Sequence, residues 1–450
     1  MSNNIEKGNK KVINAWAFYD WANSVYPLVI TTAIFPLYYK SVVGSDATVF
    51  GYNFDSVEVY SYAIALSLLI VSVLSPILSG VADFIGNKKI FMRFFNYIGA
   101  FSCFGLFLWD KVPIELGLMF CVTANIGFWG SLVFYNAYLP EIAKPENHDL
   151  ISAKGFSRGY LGSSILLVIC LITIMFLDWS PKYSFLMAGL WWIGFAQITY
   201  RKLPGKITKN IKLSDGVLSQ GYKELKLVWV EFSAIKRLKR FLIAFFVFSM
   251  ALQTIMTMAQ FFGTEAIDWS IGLDFSSLSE FSNETYQFEK ANMIKSHMES
   301  GMIISILFIQ LIAIPGAMLF AKLSDKLGNI KVLILALIFW IFICMSAYIV
   351  SSPIHFYILA GSVGFVMGGI QSLSRSTYSK FLPKTEDHAS YFSFYDVLEK
   401  IGMTIGILSF GYLTGAFSIR YSIMALTIFF VVGLVLLLFV PSEKKQLLST

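Results

Sequence analysis

Asp83-Phe84-Ile85-Gly86-Asn87-Lys88-Lys89 returns as Asp325-Lys326-Leu327-Gly328-Asn329-Ile330-Lys331, with the Asp, Gly, Asn and final Lys at a constant offset of 242 residues. Each copy stands between two stretches long enough to cross a hydrocarbon core, which takes about 20 apolar residues as a helix. Counting outward from them gives twelve such stretches in 450 residues: 16–39, 58–81, 90–109, 114–138, 152–177, 183–203, 241–263, 301–321, 332–351, 354–376, 391–416 and 421–440. With 56% hydrophobic and 14% charged residues and a mean hydropathy of +0.66, the chain is too poor in charge for a soluble domain of this length. A second echo supports duplication. Leu139-Pro140 matches Leu382-Pro383, and His148 and Gly162 match His388 and Gly402 at an offset of 240. Two registers in the same order predict an all-α membrane protein of twelve transmembrane helices in two pseudo-symmetric six-helix bundles. The bundles are residues 1–203 and 241–450, joined by a linker at 204–240.

Lys and Arg test the count, because cytoplasmic loops retain positive charge. With the amino terminus inside, the inner segments carry 28 of the 35 basic residues and the outer loops 6, Lys400 lying within the eleventh span. Both termini are therefore expected in the cytoplasm. The net charge of +7 follows from this asymmetry, with the basic loops facing anionic lipid, and calls for no nucleic-acid partner. Cys103, Cys121, Cys170 and Cys344 fall within spans without metal-ligand spacing, and His148, His297, His355 and His388 are well separated. No nucleotide loop or nucleophile motif occurs, so no metal, cofactor or enzymatic chemistry is expected.

The repeated loop has a physical role. Gly86 and Gly328 permit a tight turn between helices, and Asp83 and Asp325 can accept helix-end N–H groups or pair with a basic residue. Such a clasp would hold the inner ends of the halves together and open as they rock; a plain helix–turn–helix cap is the alternative. Glu141, in the fourth connection, is assigned to the same latch.

Closer resemblance is carried by Tyr19-Asp20-Trp21-Ala22-Asn23-Ser24-Val25-Tyr26, by Phe134-Tyr135-Asn136-Ala137-Tyr138-Leu139-Pro140-Glu141, and by Gly368-Gly369-Ile370-Gln371-Ser372-Leu373-Ser374-Arg375-Ser376 with Phe394-Tyr395-Asp396. Together these strings resemble the vacuole-effluxer-like branch of the major facilitator superfamily. Its fungal members are similar to an autophagy-related exporter of amino acids, and its bacterial members, among which this chain is expected, mostly lack an assigned substrate. The resemblance implies the major facilitator fold, a monomer, a small-molecule substrate and, for a bacterial source, the inner (cell) membrane. One departure is that Ser249-Met250 precede Ala251-Leu252-Gln253-Thr254 where the family often has Asn-Asp.

Ionisable groups inside a membrane mark a pathway or an internal pair. Asp20, Asn23 and Ser24 share one face of the first span, Lys154 and Arg158 of the fifth, Gln371, Ser374 and Arg375 of the tenth, and Asp396, Glu399 and Lys400 of the eleventh. Asp20, Asp396 and Glu399 are the candidate proton carriers. Arg375, Lys154, Arg158 and Lys400 are candidates for an inner gate of salt bridges, and for Arg375, Asp396 and Glu399 direct substrate contact is the alternative. Asp20 could instead neutralise Lys154 or Arg158. Nearer mid-depth, Asn23, Tyr26, Trp129, Gln253 and Gln371 are the candidate substrate contacts, beside Gly368 and Gly369, where backbone could approach a ligand. Pro27 is expected to loosen the first helix.

Outside the lipid, Leu225, Trp229, Phe232 and Ile235 form a helical stripe suited to the inner membrane surface. Residues 264–299 read as a long, solvated outer loop. The expected function is secondary active transport of a small polar solute such as an amino acid, with proton coupling through the buried acids as one reading and sodium coupling or facilitated diffusion as the alternatives. A transporter of lipids or other amphiphiles, and a non-transporting membrane sensor, are the competing readings.

Overall fold

The chain is a bundle of membrane-spanning helices, described by a computed structural model over residues 6–205, 217–278 and 282–441. The first five residues, part of the linker (206–216) and the tail from 442 lie outside the described residues. The first crossing is composite. Helix α1 (Lys10–Asn23) starts under Asn9, whose side chain accepts the Lys11 and Val12 N–H groups. It passes into a π-helical stretch, Tyr26–Ile34, and on into α2 (Phe35–Val43). Pro27 and Pro36 have no N–H to contribute to the ladder, and the backbone widens between them, as Pro27 led us to expect.

A hairpin follows, β1 (Asp46–Val49) with β2 (Tyr52–Asp55), closed by Phe50 and Gly51, both at positive φ as a type I′ turn needs. Then come α3 (Ser56–Ile85), α4 (Lys88–Leu106), α5 (Ile114–Asn136), the single turn α6 (Leu139–Ile142), α7 (His148–Phe176) and α8 (Tyr183–Lys202). Helix α9 (Val217–Ala234) belongs to the linker. The second half holds α10 (Lys236–Glu265), α11 (Asn283–Leu327), α12 (Asn329–Ile349), α13 (Pro353–Phe381), α14 (His388–Ala416) and α15 (Ile419–Leu438). Among the described residues, nine helices are long and apolar enough to cross a membrane. The composite first helix, α4 and α8 coincide with the other three predicted spans.

Trp16, Trp192, Trp340, Phe134, Phe185 and Phe241 are fully buried between helices, while Leu69, Leu190, Phe342, Ile349, Leu408 and Tyr412 project outward. An exterior this apolar suits hydrocarbon, not water. Glycines set the closest helix crossings. A Cβ on Gly316, Gly364 or Gly368 would come within 2.4 Å of a carbonyl oxygen on the facing helix, so α11 and α13 lie backbone to backbone. Gly368 faces Ala313 and Gly369 faces the Phe320 ring. These two glycines thus serve helix packing, where the sequence suggested room for a ligand.

Both described chain ends lie at one end of the bundle, here the terminal end. The Lys7 ammonium donates to the Pro140 carbonyl (2.7 Å), Tyr138 to the Pro204 carbonyl (2.9 Å), and Arg240 to the Phe439 carbonyl (2.8 Å). At the far end Lys182 donates to Asp110 (2.6 Å), and that hydrogen bond holds the Asp110 carboxyl below its ordinary range.

The linker helix packs one face on the bundle and leaves Leu227, Trp229 and Val230 exposed. Its buried face is Gly221, Val228 and Phe232 with half-buried Leu225, while Trp229 is exposed and its ring lies 5.3 Å from that of Phe394. Gly221 abuts Gly80 of α3, and Tyr391 of α14 donates to Glu231 (3.1 Å). Helix α9 therefore touches one helix from each half. A Cβ on Gly80 would sit 2.2 Å from the Gly221 carbonyl oxygen, with backbone on both sides. Gly80→Ala is accordingly expected to lift α9 from α3, read as faster limited proteolysis within 204–235 with the spans still intact. Unchanged cleavage would show that the contact does not hold α9.

The outer segment departs from its reading as a loop. Helix α11 runs for 45 residues and includes everything from Asn283 onward. Trp269 braces it: His297 Nδ1 donates to the Trp269 carbonyl (2.9 Å), the Trp269 indole donates to the Gly263 carbonyl (2.8 Å), and the Trp269 ring lies where a Cβ on Gly301 would be.

Candidate functional site

Contacts between the halves concentrate at the terminal end, in two nearly symmetric clasps. In the first, Asp83 reaches from the end of α3 to the first turn of α14 and accepts the Ala389 and Ser390 N–H groups (3.2 and 2.7 Å). A carboxylate there satisfies orphan donors and meets the positive end of the helix dipole. Lys88 lies 3.3 Å from Asp83, pairs with Glu141 and donates to the Glu386 carbonyl (3.1 Å), while His388 faces Glu141 at 3.4 Å.

The second clasp is chemically reversed. Asp149, in the first turn of α7, accepts from Ser324 (2.6 Å), Asn329 (2.7 Å) and Lys380 (2.6 Å), all from the second half. Gly86 and Gly328 both hold positive φ, 75° and 86°, so the turns are built as expected. Asp325 is not in the clasp: it is exposed, and its neighbours Ser324 and Asn329 reach across instead. The side chain one residue away points into the seam because helical rotation carries Asp325 about 100° round from Ser324.

Deeper in, Asp20 of α1 meets Arg375 of α13 across the seam at 3.3 Å, and Tyr135 donates to the same carboxylate oxygen (2.6 Å). Arg375 also donates through Nε to the Ser152 hydroxyl (2.9 Å), through Nη2 to the Ser152 carbonyl (2.9 Å) and through Nη1 to Asn136 (3.3 Å). Its guanidinium lies against Phe156 (4.2 Å), Trp16 (5.0 Å) and Tyr135 (5.5 Å). Delocalised charge and a planar fork suit Arg to this aromatic, hydrogen-bonded box, where a Lys could not fill all the contacts. Gly155 makes the room, since a Cβ there would sit 2.3 Å from the Asp20 carboxylate.

A third group lies on α10 and α14 of the second half and reaches α3 and α5 of the first. Asp396 pairs with Lys400 one turn along α14, both buried, and Ser75 of α3 reaches Asp396 at 3.5 Å. Lys400 stands 4.2 Å above the Trp129 ring of α5. Glu399 accepts from the Gln253 amide (2.7 Å) and enters no ion pair among the described residues. Nearby, Tyr160 of α7 donates to Gln371 of α13 (2.6 Å), whose amide rests on the Met256 sulfur (3.2 Å). Three carboxylates, Asp20, Asp396 and Glu399, thus face two cations, Arg375 and Lys400.

Trp129, Gln371, Asp20, Asp396, Arg375 and Lys400 make contacts across the seam between halves, with Gln253 and Glu399 joined to each other beside them in the second half. Asn23 is buried with its amide nitrogen unpartnered. Tyr26 is not at the seam: it packs inside the first half against Phe128 (5.5 Å) and Trp192 (5.6 Å), the side on which the π-helical turn places it. Lys154 and Arg158 do not meet Asp20; both donate to Asn14, and Arg158 lies over Phe18 (5.6 Å). They brace α1 on α7 within one half. The sequence reading passed over Tyr135, Asn136 and Ser152, which complete the Arg375 box, and Asp149 and Lys380. Asp149 follows His148, the very position at which the repeat registers, so aligning the two halves residue by residue would have raised it.

A family model described as "Vacuole effluxer Atg22 like" matches residues 8–447. The chain is 31% identical over 446 residues, 96% of its length and 95% of the relative's, to "Uncharacterized MFS-type transporter YxiO" of Bacillus subtilis (strain 168). It is 22% identical over 491 residues to "Autophagy-related protein 22" of Yarrowia lipolytica, covering 88% of this chain and 78% of that protein. Its fold is shared with the crystal structure of the human organic anion transporter MFSD10 (TETRAN), at a TM-score of 0.65 and 12% identity over 96% of this chain and 100% of the other.

Proposed function

We propose that this chain, which belongs to the Atg22-like vacuole effluxer family of major facilitator transporters, is a proton-coupled carrier of amino acids or similar small zwitterions. The observation that carries the reading is the seam between the halves, where carboxylates, amides and two cations converge with one carboxylate, Glu399, lacking a cation of its own. A zwitterion needs a cation for its carboxylate and an anion for its ammonium, and both types stand there. An unpaired carboxylate shielded from water is costly when ionised, so protonation offsets that cost and ties proton movement to the conformational cycle.

Closure at the terminal end and the basic loops around it support an outward-facing state, with that end in the cytoplasm of a bacterial cell. The two bundles, residues 1–203 and 241–450, would rock about the seam as one monomer, with 204–240 joining them and α9 bearing on both. Opening inward must break both clasps and the Asp20–Arg375 pair.

Reconstitution of the whole chain into liposomes with a panel of labelled amino acids tests this. A member of the panel is expected to accumulate under an imposed pH gradient and to stop when a protonophore collapses it. Flux insensitive to the protonophore would remove the coupling. Absence of flux for every member under every gradient would remove the substrate class and favour a sensor.

A further inference from the structure

Helix α9 is apolar on more than one face, and the bundle covers only the face of Gly221, Val228 and Phe232. Two ridges run along the rest of its circumference at i, i+4, i+7 spacing. One is Lys223, Leu227 and Val230, and beside it stand Tyr222, Lys226 and Trp229. Tyr222, Leu227, Trp229 and Val230 are each more than half exposed, and both lysines are exposed. A helix resting on a protein in water turns polar residues outward, so a contiguous apolar ridge there marks a second contact.

The height of α9 identifies that contact. It does not cap the ends of the spans it touches. Gly80 lies three residues inside Asp83, and Phe394 four residues inside Ser390, the two residues joined in the first clasp. At about 1.5 Å per residue, both contacts stand about 5–6 Å deeper in the bundle than the clasp. Both also fall within the stretches read from hydropathy as spans, 58–81 and 391–416, whereas the clasp lies outside them. Helix α9 thus lies along the flank of α3 and α14 where the spans enter the lipid, and its uncovered face turns away from the protein. That is the depth of an interfacial helix.

Charge narrows the partner. Lys223 and Lys226 stand within the uncovered face, and Lys236 and Lys239 are exposed at the start of α10 just beyond it. Among the described side chains of α9 the one acid, Glu231, accepts from Tyr391. Lysine stems can lie along an apolar surface while their ammonium groups reach phosphate, and a basic, apolar ridge gains from an anionic leaflet over a neutral one.

We propose that the uncovered face of α9 docks on anionic lipid, with Leu227, Trp229 and Val230 in the headgroup layer and Lys223 and Lys226 on its phosphates. The test needs no transport, and a disc with the same lipid on both sides needs no assumption about which side is the cytoplasm. An environment-sensitive dye is attached to a cysteine at position 230, or at position 146 in the exposed turn between α6 and α7, in the full chain lacking its four native cysteines. The protein is held in nanodiscs of phosphatidylcholine alone, or of equal parts phosphatidylcholine and phosphatidylglycerol. The label at 230 is expected to be quenched by doxyl lipid and to be at least threefold less open to acrylamide than the label at 146, with the stronger shielding in the mixed discs. Lys223→Gln/Lys226→Gln should cancel the difference between the two discs. Equal access of acrylamide to both labels would show that the face bears on water. Shielding without doxyl quenching would assign its cover to protein. Either result overturns the proposal, as does shielding that is the same in both discs for the unsubstituted lysines.

Discussion

Arg375→Ala is expected to tip the transporter away from its closed terminal end by two to three orders of magnitude and to abolish accumulation of substrate. The variant leaves Asp20 buried with a Tyr135 hydrogen bond and no cation. Removing one member of a buried pair costs about 3–5 kcal/mol, because the survivor is left charged and uncompensated. That penalty applies to the closed state alone, since opening lets water reach Asp20, so the conformational equilibrium shifts by on the order of 10²–10³-fold. A cysteine at Ser374, buried beside the pair, reports the shift as faster labelling by a membrane-impermeant thiol reagent in a background lacking the four native cysteines. The companion Asp20→Asn/Arg375→Gln pair removes both charges and should restore slow labelling. Slow labelling in Arg375→Ala itself would show that the pair does not hold the seam.

The second large effect is expected at Glu399. Glu399→Gln fixes the side chain in its uncharged form and keeps a partner for Gln253. Accumulation driven by a pH gradient should fall to the level without a gradient, while exchange of labelled for unlabelled substrate persists. Asp396→Asn, by contrast, strands Lys400 beside Trp129 and should impair both modes, because it removes an ion-pair partner. Gradient-driven accumulation surviving in Glu399→Gln would take Glu399 out of the coupling step. The comparison separates a proton carrier from a residue that merely holds the helix.

Much of the architecture was legible because a bilayer imposes it. Lipid demands long apolar helices, and the loop charge bias orders them, so span limits read from hydropathy fall within about six residues of the helices, save at the start of α11. Legibility failed where the lipid exerts no demand. The polar start of α11 at Asn283 carries no apolar signal, although Glu, Gln, Lys, Met and Ala are strong helix formers and could have suggested it. The π-helical stretch from Tyr26 has no sequence period of its own, so the sequence gives no sign that Tyr26, a candidate substrate contact, packs against Phe128 and Trp192 inside the first half. For the site, helical spacing put Asp20 on a face with Asn23, and Gln371 with Arg375. Which face meets which across the seam is set by tertiary packing, and Lys154, one helix away in the same half, was as plausible a partner as Arg375, 355 positions along the chain.

The length of α11 has a mechanical consequence. At about 1.5 Å per residue its 45 residues would span about 67 Å, while the hydrocarbon core is about 30 Å thick. The part before Gly301 stands clear of the bilayer, and Trp269 ties it to the same half as α10 and α13. It is a lever: any small swing of that half is magnified at its tip. A dye or spin label near Asn283 would turn angstrom-scale motion at the seam into a displacement large enough to follow one molecule at a time.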